Sequence, residues 1–279
     1  MVDRVRRALR EKRVGHTGTL DPFATGVLVV CVGKATRLAR FLAEGDKVYH
    51  ATIRLGWATA TDDLTGEPAG PRREVAIARG DIEAAARGLT GDIDQRAPAF
   101  SAKRQKGRRL YEMARAGDAS EPPPTSRVHV RSFAVLEVRG SAVDVAVTCS
   151  PGTYIRALAR DLGAALGVGG HLTALRRLSS SGFTVDDAVP GDDLCAESAD
   201  KLRPLSSLLP GWPAVVLTSR EAEDVRHGRP VEAGLDRLKG GVRVGNRVRL
   251  LDSADNLVGL GVSQDLDGLG RIQPEVVLA

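Results

Sequence analysis

Asp21 stands in a segment whose residue types permit chemistry: Gly15-His16-Thr17-Gly18-Thr19-Leu20-Asp21-Pro22. Two Gly, two Thr and a Pro oppose helix there, and Pro22 restricts the backbone of the residue before it. Gly15 and Gly18 let another chain approach closely, while Thr17 and Thr19 offer hydroxyl partners. A carboxylate held in this way can serve as nucleophile, general base or metal ligand. The plainer alternative is an Asp whose side chain caps a turn. His16 precedes Asp21 by five residues, a spacing that does not imply a catalytic dyad.

Positive charge is the second chemical feature. Residues 4–13 carry Arg4, Arg6, Arg7, Arg10, Lys12 and Arg13 against Glu11 alone, and residues 103–115 carry Lys103, Arg104, Lys106, Arg108, Arg109 and Arg115 against Glu112 alone. A single run of this kind reads equally well as a solvated helix face. Two runs in a chain with 4% aromatic residues favour phosphate contacts.

The elements that must carry these groups follow from periodicity. Val2, Val5 and Leu9 recur at helical spacing and predict an opening amphipathic helix. Val27–Val32 is a continuous apolar run, expected as a strand buried on both faces. A helix is expected at about 35–43, a strand over Val48–Leu55, turn chemistry from Thr61-Asp62-Asp63 to Gly66, and a helix over 80–88. Pro122-Pro123-Pro124 marks a loop before strands near 127–138 and 142–149. A turn at Cys149–Thr153 leads into a helix over 154–166, then a strand over Leu172–Leu178 and a helix near 192–207. Leu209-Pro210-Gly211-Trp212-Pro213 reads as a linker. Short strands over Val242–Leu251, Leu257–Val262 and Arg271–Leu278, with turns at Asp252–Asn256 and Asp265–Gly270, suggest a small β-barrel. Strands and helices alternate irregularly, so an α+β fold with a mixed, mainly antiparallel sheet flanked by helices is expected.

The whole chain narrows the class further. Its 279 residues suggest one large domain, or one plus a small appendage. With 42% hydrophobic residues it can bury a core, and no apolar run approaches a membrane span. Cys31, Cys149 and Cys195 are odd in number and far apart, which argues against a disulfide framework or a zinc site. The N-terminus lacks the apolar centre of a secretory signal, so a cytoplasmic protein is expected.

The segment GHTGTLDPFATGVL closely resembles the catalytic motif of the TruB-type tRNA pseudouridine synthases. Further blocks resemble the same family in the same order: KVYHATIRLG (47–56), PAFSAKRQKGRRLYEMAR (98–115), CSPGTYIRALARDLG (149–163) and HLTALRRLSSSGF (171–183). The terminal Gly-Arg-Ile-Gln-Pro-Glu-Val-Val-Leu resembles the last strand of a PUA-like RNA-binding domain. One departure is plain. Family members normally begin with a strand and a Lys-Pro-x-Gly-x-Thr-Ser segment ahead of the helix that here starts at Met1, and a misassigned start site is the expectation.

The resemblance implies a pseudouridine synthase catalytic domain over 1–208, with an RNA-gripping insertion at about 96–125, and a PUA-like domain over 214–279. It implies isomerisation of uridine 55 in the T-arm of tRNA, by a monomer without metal, membrane or cofactor. Asp21 would be the nucleophile, with Arg156 as its counter-charge. Tyr49 would stack on the uracil, and Tyr154 would bind the nucleotide or support Asp21. Leu175 would wall the pocket, and His16 would contact displaced T-loop nucleotides. Lys103, Arg104 and Lys106 would hold the RNA backbone; His171, Asp161 and Asp62 are assigned structural roles. Two alternatives remain at this stage: a catalytically impaired tRNA-binding or tRNA-folding protein, and a glycosidic-bond hydrolase. The latter would want two carboxylates at the site, and the Asp21 block offers one.

Overall fold

A computed structural model describes residues 1–118, 121–232, 238–239, 243–264 and 270–278. The helical spacing of Val2, Val5 and Leu9 produces α1 (Val2–Leu9), which buries Val5 and leaves its arginines exposed. Three short strands follow: β1 (Val14–His16), β2 (Thr25–Gly26) and β3 (Val30–Val32). The apolar run Val27–Val32 is thus not one strand buried on both faces. Gly26 turns the chain at φ 98°, Val27 donates to the Arg177 carbonyl, and Val30–Val32 pair with β1 instead. An apolar run records burial but not which sheet supplies it.

A 3-10 turn over Gly33–Leu38 runs into α2 (Ala39–Ala43). In β4 (Lys47–Leu55) every second residue from Lys47 to Leu55 is buried, the signature of a strand with one core face. Next come α3 (Arg79–Gly88), the edge strand β5 (Gly91–Arg96), and a basic hairpin of β6 (Arg104–Gln105) and β7 (Arg108–Arg109) leading into α4 (Leu110–Arg115). The long β8 (Thr125–Arg139) and β9 (Ala142–Cys149) form the next hairpin. Helix α5 (Ile155–Ala165) buries Ile155, Leu158, Ala159 and Leu162, and β10 (Gly170–Ser180) and β11 (Phe183–Thr184) follow.

Where a helix was expected near 192–207, the chain makes three separate 3-10 turns, Gly191–Asp193, Ala196–Lys201 and Leu205–Ser207. Pro204 removes a donor inside that span, and short Ser and Asp side chains compete for the backbone, so no α-helical ladder forms. Then come β12 (Ala214–Val216), α6 (Ser219–Arg226), β13 (Val231–Glu232), β14 (Leu238–Lys239), β15 (Arg247–Leu251), β16 (Leu257–Gln264) and β17 (Arg271–Val277). Residues 265–269, in the turn expected at Asp265–Gly270, lie outside the described residues, as does Val242.

The residues divide into two compact units, one of Met1–Thr17, Val30–Leu42 and Val189–Ala279, the other of Gly18–Val29 and Ala43–Ala188. The second unit holds the main sheet, in the order β11-β10-β4-β9-β8-β5, antiparallel throughout, with β2 added parallel to β10. This is the mixed, mainly antiparallel sheet expected. One face carries Tyr49, Ala51, Ile53 and Leu55 with Val143, Val145 and Val147, packed against Ile82, Leu158 and Leu162 from the helices. Gly163 lets α5 meet the chain at Gly169 and Gly170, where a Cβ would stand 2.2 Å from their backbone atoms. Bulges between Leu172 and Ala174 and between Arg177 and Ser179 flank Leu175 and Arg177, re-aiming both side chains.

The first unit contains the β1–β3 pair and a six-stranded sheet, β13-β17-β16-β15-β12-β14, curled as half a barrel. Its own core joins Val215, Leu217, Val225, Val248, Leu250 and Ile272. The first turn of α6 is closed by reciprocal bonds between Thr218 and Glu221.

Candidate active site

Asp21 sits at the bend of the loop between Gly18 and Val27, where its carbonyl accepts from the Ala24 amide at 2.9 Å. Its carboxylate meets Arg156, near the start of α5, in a two-point pair: Nε to Oδ2 at 2.9 Å and Nη2 to Oδ1 at 3.0 Å. Both oxygens are therefore aligned by one planar group, which fixes orientation as well as distance. The Arg156 side chain is 6% exposed and that of Asp21 28%, so the pair is covered on the arginine side and open on the carboxylate side.

Arg156 has no unused donor direction. Nη1 donates to the Thr61 carbonyl at 3.0 Å and faces Asp63 Oδ2 at 3.3 Å, and Nη2 donates to the Phe100 carbonyl at 3.1 Å. Asp63 is in turn held by Thr61 Oγ1 at 2.6 Å, the Thr65 amide at 2.9 Å and Thr65 Oγ1 at 2.6 Å. One guanidinium thus serves two carboxylates, leaving the cluster with a net negative charge. A carboxylate that is paired, oriented and still reachable can attack an electrophilic carbon or take a proton.

Tyr49 lies on the core face of β4, in register with Val147 on one side and Arg177 on the other. Burial pushes its phenol above the usual range, and a hydrogen bond from Arg177 opposes that shift. The phenol therefore keeps its proton near neutrality. Leu175, in the next core-facing position of β10, is buried beside Ala51 and also lines an open cavity of about 700 Å³ with His50, Thr52, Asp144, Thr173 and Arg176. Tyr154 is the half-buried N-cap of α5. Its backbone is clamped by the buried Gln95 side chain, which accepts from the Tyr154 amide at 2.8 Å and donates to its carbonyl at 3.1 Å.

Asp21 and Arg156 are thus joined directly, and Tyr49 and Leu175 occupy neighbouring core-facing positions of the same unit. His16 belongs to the other unit, exposed at the end of β1 opposite Val30. The basic segment forms a hairpin whose tip, Lys106-Gly107, takes positive φ at both residues, the geometry of a two-residue turn. Lys103 bonds to Ser126 and Lys106 to Glu121. Arg104 is exposed and has no side-chain partner among the described residues. Asp62 and Asp161 both bind Arg160, and burial raises the Asp62 carboxyl despite that partner. His171 is buried, with Nδ1 3.1 Å from the Trp57 carbonyl. Among the described residues no group of His, Cys, Asp and Glu could hold a metal ion, and no helix is long and apolar enough to cross a membrane.

Sequence reasoning missed three residues. Asp63 was read as turn chemistry, and nothing in its spacing separates it from Asp62. Gln95 lies in a strand whose Asp-rich sequence hides its alternation. Arg177 carries no local signal of burial, because the bulges in β10 interrupt the two-residue period.

A family model described as TruB family pseudouridylate synthase (N terminal domain) matches residues 6–155, and one described as tRNA pseudouridylate synthase B C-terminal domain matches residues 156–209. The tRNA pseudouridine synthase B of Thermobifida fusca is 49% identical over 240 residues, covering 83% of this chain and 81% of that protein. That of Synechococcus elongatus is 40% identical over 281 residues, covering 100% and 92%. A solved Cbf5-Nop10-Gar1 complex superimposes with a TM-score of 0.72 at 26% identity, covering 100% of this chain and 80% of the matched chain.

Proposed function

The chain belongs to the TruB family of pseudouridylate synthases, and from that premise we propose that it is an isomerase converting uridine to pseudouridine at position 55 in the T-arm of tRNA. The reaction breaks the N1–C1′ bond, rotates the base and joins C5 to C1′; the C5 proton leaves and N1 regains one. Atoms balance without water, and no electrons are exchanged, so the chemistry calls for no cofactor.

The observation that carries this reading is the two-point pair of Asp21 with a buried guanidinium, open on the carboxylate side. Arg156 holds both carboxylate oxygens and aims the one that attacks C1′ or C6 of the nucleotide. The target nucleotide leaves its stack, at a cost of a few kcal/mol recovered from contacts in the pocket. Tyr49 offers its ring to the uracil, Leu175 an apolar wall, and Tyr154 a polar contact to the nucleotide. His16 meets displaced T-loop nucleotides. Lys103, Arg104 and Lys106 meet backbone phosphates. Residues 1–208 carry catalysis and 214–279 a PUA-like RNA-binding role, in a monomer acting in the cytoplasm.

Incubating the protein with an unmodified tRNA transcript and mapping pseudouridine by position tests the reading. Product is expected at position 55. Asp21→Ala should lower kcat by about 10⁴-fold or more while leaving transcript binding within a few fold. Turnover near the unsubstituted level in that variant overturns the assignment of the nucleophile.

A further inference from the structure

Arg177 is 2% exposed, and among the described residues no carboxylate pairs with it. Burying a cation without a counter-ion is costly unless polar groups satisfy it. Here Nε donates to the Val27 carbonyl at 2.7 Å, Nη2 to the Gly18 carbonyl at 3.3 Å and Nη1 to the Thr19 carbonyl at 3.4 Å. Tyr49 stands opposite Arg177 in register on the neighbouring strand. A second buried cation lies close by: Lys47 bonds the carbonyls of Ala43 and Gly45, and its ammonium is weakened first by burial and then by Arg177.

The carbonyls bound by Arg177 lie on both arms of the segment that bends at Asp21. Gly18 and Thr19 lead into it and Val27 leads out. The backbone of Arg177 holds the same arm, pairing with Gly26 and accepting from the Val27 amide at 2.9 Å. Gly26 must be glycine there, since a Cβ would stand 2.1 Å from the Arg177 carbonyl oxygen.

We propose that Arg177 is a positioning residue for the reaction: its guanidinium ties together the two arms of the loop that presents Asp21. The role rests on the reading of Asp21 as nucleophile.

Arg177→Lys and Arg177→Met are assayed in the full chain on the tRNA transcript, with kcat, KM, transcript Kd and melting temperature measured for each. An ammonium reaches some of these acceptors but cannot span both arms as the planar fork does. Expected are losses in kcat of about tenfold for Lys and about 100-fold for Met, with KM and Kd within about threefold. A KM rising in step with the fall in kcat, or a Lys variant with unchanged kcat, overturns the proposal. If the Met variant does not fold, the Lys variant decides alone. Asp21→Asn run in parallel separates the two readings. Activity in that variant refutes the nucleophile, whereas an inactive Asp21→Asn beside a fully active Arg177→Lys refutes only the positioning role.

Discussion

Around Asp21 the charged groups are few, mostly buried and each committed to several partners, whereas along residues 103–115 they are many, mostly exposed and held by few partners. Arg156 meets two carboxylates and two carbonyls with its side chain 6% exposed. Among the described residues Arg108 pairs with Asp118 and Lys106 with Glu121, both with more than half of the side chain exposed. Buried, multiply bonded charge fixes geometry, because moving any member strands the others without water. Exposed single pairs are worth about 0–1 kcal/mol and exchange partners at little cost. The first arrangement suits a reacting group. The second suits a surface that trades its own acids for phosphates.

The contrast breaks most visibly at Arg156. Arg156→Met should lower kcat by about 10²–10³-fold, as expected for loss of an aligned, charged donor, while transcript Kd changes only a few fold. Equal losses in both would place Arg156 among the RNA-holding cations and erase the distinction. Asp63→Asn is the next largest effect. The amide keeps the shape but accepts less well from Thr61 and Thr65, so kcat should fall about tenfold, with a stability loss of about 1–2 kcal/mol by thermal or denaturant melting. An unchanged kcat would confine Asp63 to the turn.

The smallest effect belongs to the hairpin. Replacing Lys103, Arg104 and Lys106 by Ala should leave kcat unchanged and flatten log Kd against log salt by at most about 0.7–0.9 per lost phosphate contact. Arg104→Ala alone should account for much of the change, since Lys103 and Lys106 already hold protein partners. An unchanged slope would show that the segment does not touch the RNA backbone.

How much of this was legible in the sequence differs along the chain. The strands expected over Val48–Leu55 and 142–149 and the helix expected over 154–166 match β4, β9 and α5 closely, while the order of strands in the sheet had no local signal. The Asp21 loop was readable as irregular because its Gly, Thr and Pro leave few alternatives. The Asp21–Arg156 pair spans 135 residues and no local pattern contains it; the motif resemblance suggested it and the side-chain geometry supplies the two-point contact. Asp63, Gln95 and Arg177 were missed for one shared reason. Each is a polar residue whose partner is a distant carbonyl, amide or guanidinium, and periodicity reports apolar burial alone. The division of Val27–Val32 and the broken helix near 192–207 failed for the opposite reason, since local apolarity and helical spacing were present but tertiary pairing and Pro204 prevailed.

The Phe100 carbonyl has a mechanical consequence. It accepts from Arg156, while the next two residues along the chain run to Lys103, and the carbonyls of Ser101 and Lys103 receive the amides of Tyr111 and Leu110 just past the hairpin. A single peptide therefore separates the anchor of α4 from the guanidinium that aims Asp21. A displacement at the base of the hairpin therefore reaches the carbonyl that holds Arg156 through one peptide plane.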